Sequence, residues 1–191
     1  MKNNIIIMKP FGPAIAKVEM SPDLVKVLNN YTDEEIKKSK EKTEFTLDDK
    51  IIKKLNWVEY IGTLANSWVE NETKKPLKKI SIAKTWTSRQ FKNQFNPIHF
   101  YKDGNISGIA FLKVPKSFDS SEGSEEGKLT LIHGSISTLC NSIFSINPKV
   151  GDFYLFPSYL MNLTYPFTDS DEELRTIKFS AKIDGENIIG I

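Results

Sequence analysis

Asp152-Phe153-Tyr154-Leu155-Phe156-Pro157-Ser158-Tyr159-Leu160-Met161-Asn162-Leu163-Thr164-Tyr165 is the stretch on which the fold turns. It reads as two short β-rich runs, Asp152 to Phe156 and Leu160 to Tyr165, parted by turn residues around Pro157-Ser158. Working outward, Ile80 to Trp86, Ser88 to Phe95, Ile106 to Val114, Lys128 to His133, Ser142 to Ile146 and Arg175 to Ile183 repeat that pattern. Eight such runs at this spacing predict a two-sheet jelly roll or barrel. Pro157 and Pro166 confine the Asn162 strand to a short piece at a sheet edge or barrel mouth.

The N-terminal part has a different period. Residues 1 to 20 read as a strand or extended entry, with Phe11-Gly12-Pro13 as a turn and Ile15 to Val18 continuing beyond it. Ser21-Pro22-Asp23 starts a helix, because Ser21 can cap and Pro22 suits the first helical position. Tyr31 to Lys50 is charged and weakly patterned, and reads as a long connection. Ile51, Leu55, Val58, Ile61, Ala65 and Trp68 then recur every three to four residues, predicting a helix from Asp49 to about Glu72. Trp57 and Trp68 are expected as core anchors. Helices that precede the strands pack outside one sheet, which gives an α+β class that is mainly β. The expected organisation is one domain over 1–191: an extended segment and helices over 1–77, a β core over 78–184, and a tail over 185–191. The Ser-, Gly- and Glu-rich segment 117–127 is expected to be a mobile connection between strands.

Composition narrows the function classes. The chain has 191 residues, 39% hydrophobic and 26% charged, as globular proteins do. A net charge of +2 argues against nucleic acid as a partner. Lys37 to Lys42, Lys53-Lys54 and Lys74 to Lys79 are interleaved with acids and read as solvated faces. Cys140 is alone, so no internal disulfide forms, and its apolar context suggests a small core residue. Ile5-Ile6-Ile7-Met8 is too short to span a membrane.

On the last strand Arg175, Ile177, Phe179, Ala181 and Ile183 share one face, and Thr176, Lys178, Ser180 and Lys182 share the other. The first set is otherwise apolar and is expected to face the core, which points Arg175 inward at one end of the barrel. An inward arginine needs a carboxylate, from the protein or from a ligand. Asn162 can point into the same barrel. His99, after Asn96-Pro97, is a satisfied structural histidine or a ligand; His133 reads as a surface or hydrogen-bonding residue.

Several motifs carry a family resemblance in order along nearly the whole chain. Arg89 to His99, Ile106 to Pro115, Leu131-Ile132-His133-Gly134-Ser135, Pro148 to Pro157 and Arg175-Thr176-Ile177-Lys178-Phe179 resemble the phage-type iron(II)/2-oxoglutarate dioxygenase-like proteins. The resemblance implies a double-stranded β-helix fold related to prolyl-4-hydroxylases. It also implies a facial triad, His-x-Asp or His-x-His plus a distal His, with an Arg or Lys that pairs the cosubstrate carboxylate. On this chain the first ligand position is His99, the second falls on Tyr101, the distal one on Asn162, and the cosubstrate position on Arg175. Ser180 stands where the family usually has Asn.

Fe(II) prefers two imidazoles and a carboxylate, and a neutral phenol and an amide replace neither well. Asp103 is the one nearby carboxylate that could be recruited. The expectation is therefore an oxygenase-like jelly roll with a degenerate triad and no bound cofactor, acting as a structural (virion) or binding component. Its expected partner is a virion or host protein, with a homo-oligomer as an open alternative, and its expected location is the host cytoplasm or the virion. The alternative is an active protein hydroxylase that uses iron(II) and 2-oxoglutarate with nonstandard ligands. A third reading is a metal-free binder of small carboxylates built on Arg175.

Overall fold

The computed structural model describes residues 5–8, 12–120, 125–135, 138 and 141–183. Before the barrel strands come β1 (Ile6–Met8), β2 (Ile15–Glu19), α1 (Pro22–Lys38), β3 (Glu44–Thr46), α2 (Asp49–Lys54) and α3 (Trp57–Thr73). Then follow β4 (Ile80–Gln90), β5 (Asn96–His99), β6 (Ile106–Lys113), a 3-10 turn (Lys116–Ser120), β7 (Leu129–Ile132), β8 (Ile143–Ile146), β9 (Asp152–Pro157), β10 (Met161–Thr164) and β11 (Leu174–Ile183). The strands form a seven-stranded sheet, β1-β2-β9-β6-β11-β4-β3, and a four-stranded sheet, β5-β10-β7-β8. Every pairing is antiparallel. This is the mainly β, α+β jelly roll that the strand spacing predicts, with the helices outside one sheet.

Local chemistry sets the helix ends. Ser21 accepts a hydrogen bond from the Leu24 amide with Pro22 in the first turn, as expected, but α1 runs on through the charged stretch to Lys38. The stretch expected to be a plain connection therefore holds the end of α1, β3 and the start of α2. The predicted helix from Asp49 to Glu72 is broken at Asn56, whose left-handed backbone (φ 48) ends α2 and starts α3. Asn tolerates that conformation better than most residues. The break turns Trp57 inward, where it is fully buried. Ser88 to Phe95 is not a separate strand: Ser88 to Gln90 extends β4, and the chain then turns into β5. β10 is short but internal, flanked by β5 and β7, so it is not an edge.

The large sheet is covered on both faces. Outside it, Trp57, Ile61, Leu64, Ala65 and Trp68 of α3 pack with Phe153, Ile177, Phe179 and Ala181. Trp57 lies nearly parallel to Phe153 at 6.1 Å and donates its Nε1–H to Thr85 Oγ1 at 3.2 Å. Gly108 makes room here, since a Cβ would come within 2.3 Å of the Phe179 ring. Between the sheets a second core holds Trp86, Tyr101, Ile109, Phe111, Leu129, Leu131, Tyr154, Phe156 and Leu174. In the 117–127 segment Phe118 packs edge-on against Phe167 at 5.2 Å, so this end is anchored rather than a free loop. Residues 121–124, Cys140, Phe11 and the 185–191 tail lie outside the described residues. No helix among the described residues is long and apolar enough to cross a membrane.

Trp57→Ala removes the side chain that joins α3 to the large sheet. We expect a loss of about 3–5 kcal/mol in urea-unfolding free energy, with a far-UV spectrum of unchanged shape at low denaturant.

Candidate metal and ligand site

β5 and β10 lie side by side with His99 directly opposite Asn162. Asn162 is fully buried and donates its Nδ2–H to the His99 carbonyl at 3.1 Å. Because a carbonyl only accepts, this bond fixes the amide's orientation and leaves Oδ1 as an acceptor. That Oδ1 has no hydrogen-bond partner. His99 is half-buried, and its Nδ1–H donates to the Pro97 carbonyl at 2.8 Å, so Nε2 carries the free lone pair. Burial lowers the His99 pKa, and the charge of Lys178 lowers it further. The imidazole is neutral at pH 7.

Tyr101 follows in the connection after β5. Its ring stands edge-on to His99 at 5.3 Å and to Trp86 at 5.5 Å. The hydroxyl is buried with no partner. Burial, and then the Glu44 charge, raise its pKa, so the phenol keeps its proton. His99, Tyr101 and Asn162, far apart in sequence, are thus brought together. The His133 ring lies beside Tyr159 at 6.0 Å. Asp103 is exposed.

Arg175 does not join this group. Its face of β11 packs under the helices, as Ile177, Phe179 and Ala181 do, and not between the sheets. The side chain is 1% exposed, and the protein engages both terminal nitrogens while Nε has no partner. Nη2 pairs with Asp33 of α1 at 2.7 Å and with Glu173, while Nη1 donates to Asn29 Oδ1 at 3.0 Å and to the Asn29 carbonyl at 3.2 Å. Glu173 also takes Arg89 at 2.6 Å and Lys113 at 3.2 Å. Of the two carboxylate sources open to Arg175, the protein supplies the one seen. The expectation that Arg175 points into the barrel is corrected accordingly. The error came from equating the apolar face of β11 with the barrel interior, when that face is the helix-side core.

The cation that does face the barrel is Lys178. Its cross-strand neighbours on β4 and β6 are Trp86 and Ile109, both in the core between the sheets. It is 6% exposed, and burial lowers its pKa to about 8, against an opposing pull from Glu44. Among the described residues no carboxylate pairs with it directly, and Glu44 acts on it only through space. Two residues on, Ser180 is buried with its Oγ unpartnered. Gly104 fits here because a Cβ would lie 2.5 Å from Ser180 Oγ. The polar alternation Thr176, Lys178, Ser180 was the sequence signal for this interior face, legible once both faces of the sheet are taken as covered.

This donor set does not fit Fe(II). It offers one neutral imidazole, a protonated phenol and an amide oxygen, with an ammonium group whose charge reaches His99. Among the described residues no group of three or more His, Cys, Asp or Glu could hold a metal ion. A carboxylate and a second imidazole are what a ferrous facial site requires.

Residues 84–180 match the family model for 2OG-Fe(II) oxygenases, a span that contains every residue of this site. The chain belongs to that family. No curated protein matches it. Among solved structures, AviO1 from Streptomyces viridochromogenes Tue57 is 12% identical with a TM-score of 0.63, covering 92% of this chain and 91% of that one. A Pseudomonas putida prolyl-4-hydroxylase is 10% identical with a TM-score of 0.60, over 94% of this chain and 93% of that one. The viral collagen prolyl hydroxylase vCPH from Paramecium Bursaria Chlorella virus-1, solved with 2OG, is 16% identical with a TM-score of 0.55, over 90% and 96%. These likenesses establish the double-stranded β-helix fold.

The Arg175 network carries its own pH dependence. Burial works against ionisation of Asp33 and Glu173, but hydrogen bonds and charge from Arg175 and Arg89 prevail and hold both carboxyls below their ordinary values. Their contribution to stability is present above the unfolded carboxylate pKa of about 4 and is lost as pH falls through the lowered folded values. We expect the urea midpoint to fall on acidification below about pH 5, and less steeply in Arg175→Ala. That variant should lose about 3 kcal/mol at pH 7, the low end for a broken buried pair because Glu173 keeps Arg89.

Proposed function

We propose that this chain is an oxygenase fold that has given up oxygenase chemistry and serves as a binding or structural component, in a phage virion or against a host protein. The observation that carries the reading is the pairing of Tyr101 and Asn162 with His99 at the positions where the family resemblance puts metal ligands, beside the Lys178 ammonium. Each departure weakens a ferrous site: a protonated phenol for a charged ligand, an amide for an imidazole, and a cation close to where a dication would sit. Phage origin is supported by the ordered motifs from Arg89 to Phe179, and fold alone does not assign an activity. A protein partner is supported by the outer face of the small sheet. There Met161, Ile132 and Ile143 form a cross-strand row, with Met161 and Ile143 exposed and Phe100 exposed beside them.

The competing reading is an active hydroxylase with nonstandard ligands, favoured by the free His99 Nε2. Anaerobic loading with Fe(II) followed by elemental analysis and a succinate assay separates the two. We expect iron far below one equivalent and no succinate from 2-oxoglutarate. Tyr101→His together with Asn162→His should raise ferrous affinity at least about tenfold. Stoichiometric iron with turnover in the unmodified protein, lost in His99→Ala, would establish the hydroxylase instead.

A further inference from the structure

The outer face of the small sheet breaks the pattern of a solvated antiparallel sheet. Such a sheet alternates apolar residues inward with polar ones outward. Here Asn162 points in, so Met161 and Leu163 point out, and the register sets Ile132 and Thr130, then Ile143 and Ser145, beside them. Asn162 pairs with His99, which brings Phe100 level with Met161. The sixteen residues of β5, β7, β8 and β10 include no Asp, Glu, Lys or Arg, where a chain 26% charged would place about four.

Among the described residues ten large hydrophobics are exposed, and seven of them lie on this sheet or on the connections that leave it. Apolar side chains scattered singly are normal on a surface, whereas a concentration of this kind marks a contact. Four of the seven are aromatic, Phe95, Phe100, Tyr159 and Tyr165, and at about 200 Å² per ring their exposed parts make up roughly 400 Å². Ile98, Ile143 and Met161 add roughly 200 Å², against the ~800 Å² per partner of a standard interface. The polar rim of a contact supplies the rest.

The face is uncharged in the middle and charged at two corners. At the β5 corner Lys102 lies over the Phe100 ring at 5.7 Å, with Asp103 next to it in the exposed turn. At the β8 corner Glu125 accepts a hydrogen bond from Ser145 at 3.2 Å and pairs with Lys128. The carboxylate is the exposed member of that pair, at 54% against 14%. A twofold axis can use corners of opposite sign, because it sets each corner of one copy over the other corner of its partner. A second copy also presents the same apolar row, with no like charge to repel across it.

We propose that two copies of this chain pack through the outer faces of their small sheets. Met161, Ile132 and Ile143 lie at the centre, and Lys102 of each copy sits beside Glu125 of the other. The proposal rests on the reading of this face as a contact surface and names what covers it.

Sedimentation equilibrium in EDTA over a concentration series reads the mass of the species present. We expect it to rise to twice the 21.8 kDa chain mass. Met161→Lys sets two ammonium groups against each other near the axis and should weaken the dimer about a hundredfold or more. Its urea midpoint should not move, because Met161 is exposed. Val150→Lys, at an exposed apolar residue away from this sheet, should leave the dimer as it is. Lys102→Glu and Glu125→Lys should each weaken association, and the two together should restore it. The single-chain mass at millimolar concentration would overturn the proposal and leave the face to another protein. A dimer that Met161→Lys leaves intact would put the contact elsewhere and overturn it too. Single swaps that weaken the dimer with no recovery in the double would overturn the corner pairing. With EDTA present throughout, none of these outcomes bears on the metal-free reading, which the iron and succinate assays decide.

Discussion

From Leu174 to Ala181 β11 is buried on both of its faces, and the rest of the molecule is arranged around that constraint. α3 covers one face through Trp57, Ile61 and Trp68, while the small sheet covers the other through Leu129 and Leu131. A central strand covered in this way has no solvent side on which to leave its charged residues. Each must find an opposite charge inside or stay costly.

Arg175 and Lys178 meet that constraint in opposite ways although they are three residues apart. Arg175 lies under α1, where Asn29, Asp33 and Glu173 occupy its guanidinium, so it joins the helical layer to the end of the sheet. Its planar fork suits several acceptors at once. Lys178 lies between the sheets with Trp86 and Ile109 as neighbours, and burial depresses its pKa to about 8. One cation is a structural joint. The other is held in reserve beside His99, Tyr101 and Asn162, and such uncompensated groups cluster at functional sites.

Much of this was legible in the sequence because period-2 runs and turn residues are local signals. The β9–turn–β10 stretch and the Ser21-Pro22 helix start follow from them, whereas the approach of Asn162 to His99 is what the family resemblance implied. What was not legible depends on packing. The break at Asn56 needs a left-handed residue that the apolar stripe from Ile51 to Trp68 conceals. The extension of α1 through Thr32 depends on a buried face formed with the sheet. The direction of Arg175 failed for the same reason. Alternation along β11 gave the two faces correctly, but only the tertiary fold says which apolar set meets helices and which polar set meets the barrel interior.

The central claim is that the inherited ligand positions enclose no ferrous ion and that a lysine supplies the positive charge there. Crystals grown anaerobically with excess Fe(II), measured on both sides of the iron absorption edge, test it most directly. The account predicts no anomalous peak among His99 Nε2, Tyr101 OH and Asn162 Oδ1, with the Lys178 side chain ordered toward them. A strong peak coordinated by those atoms, with Lys178 turned away, would contradict it.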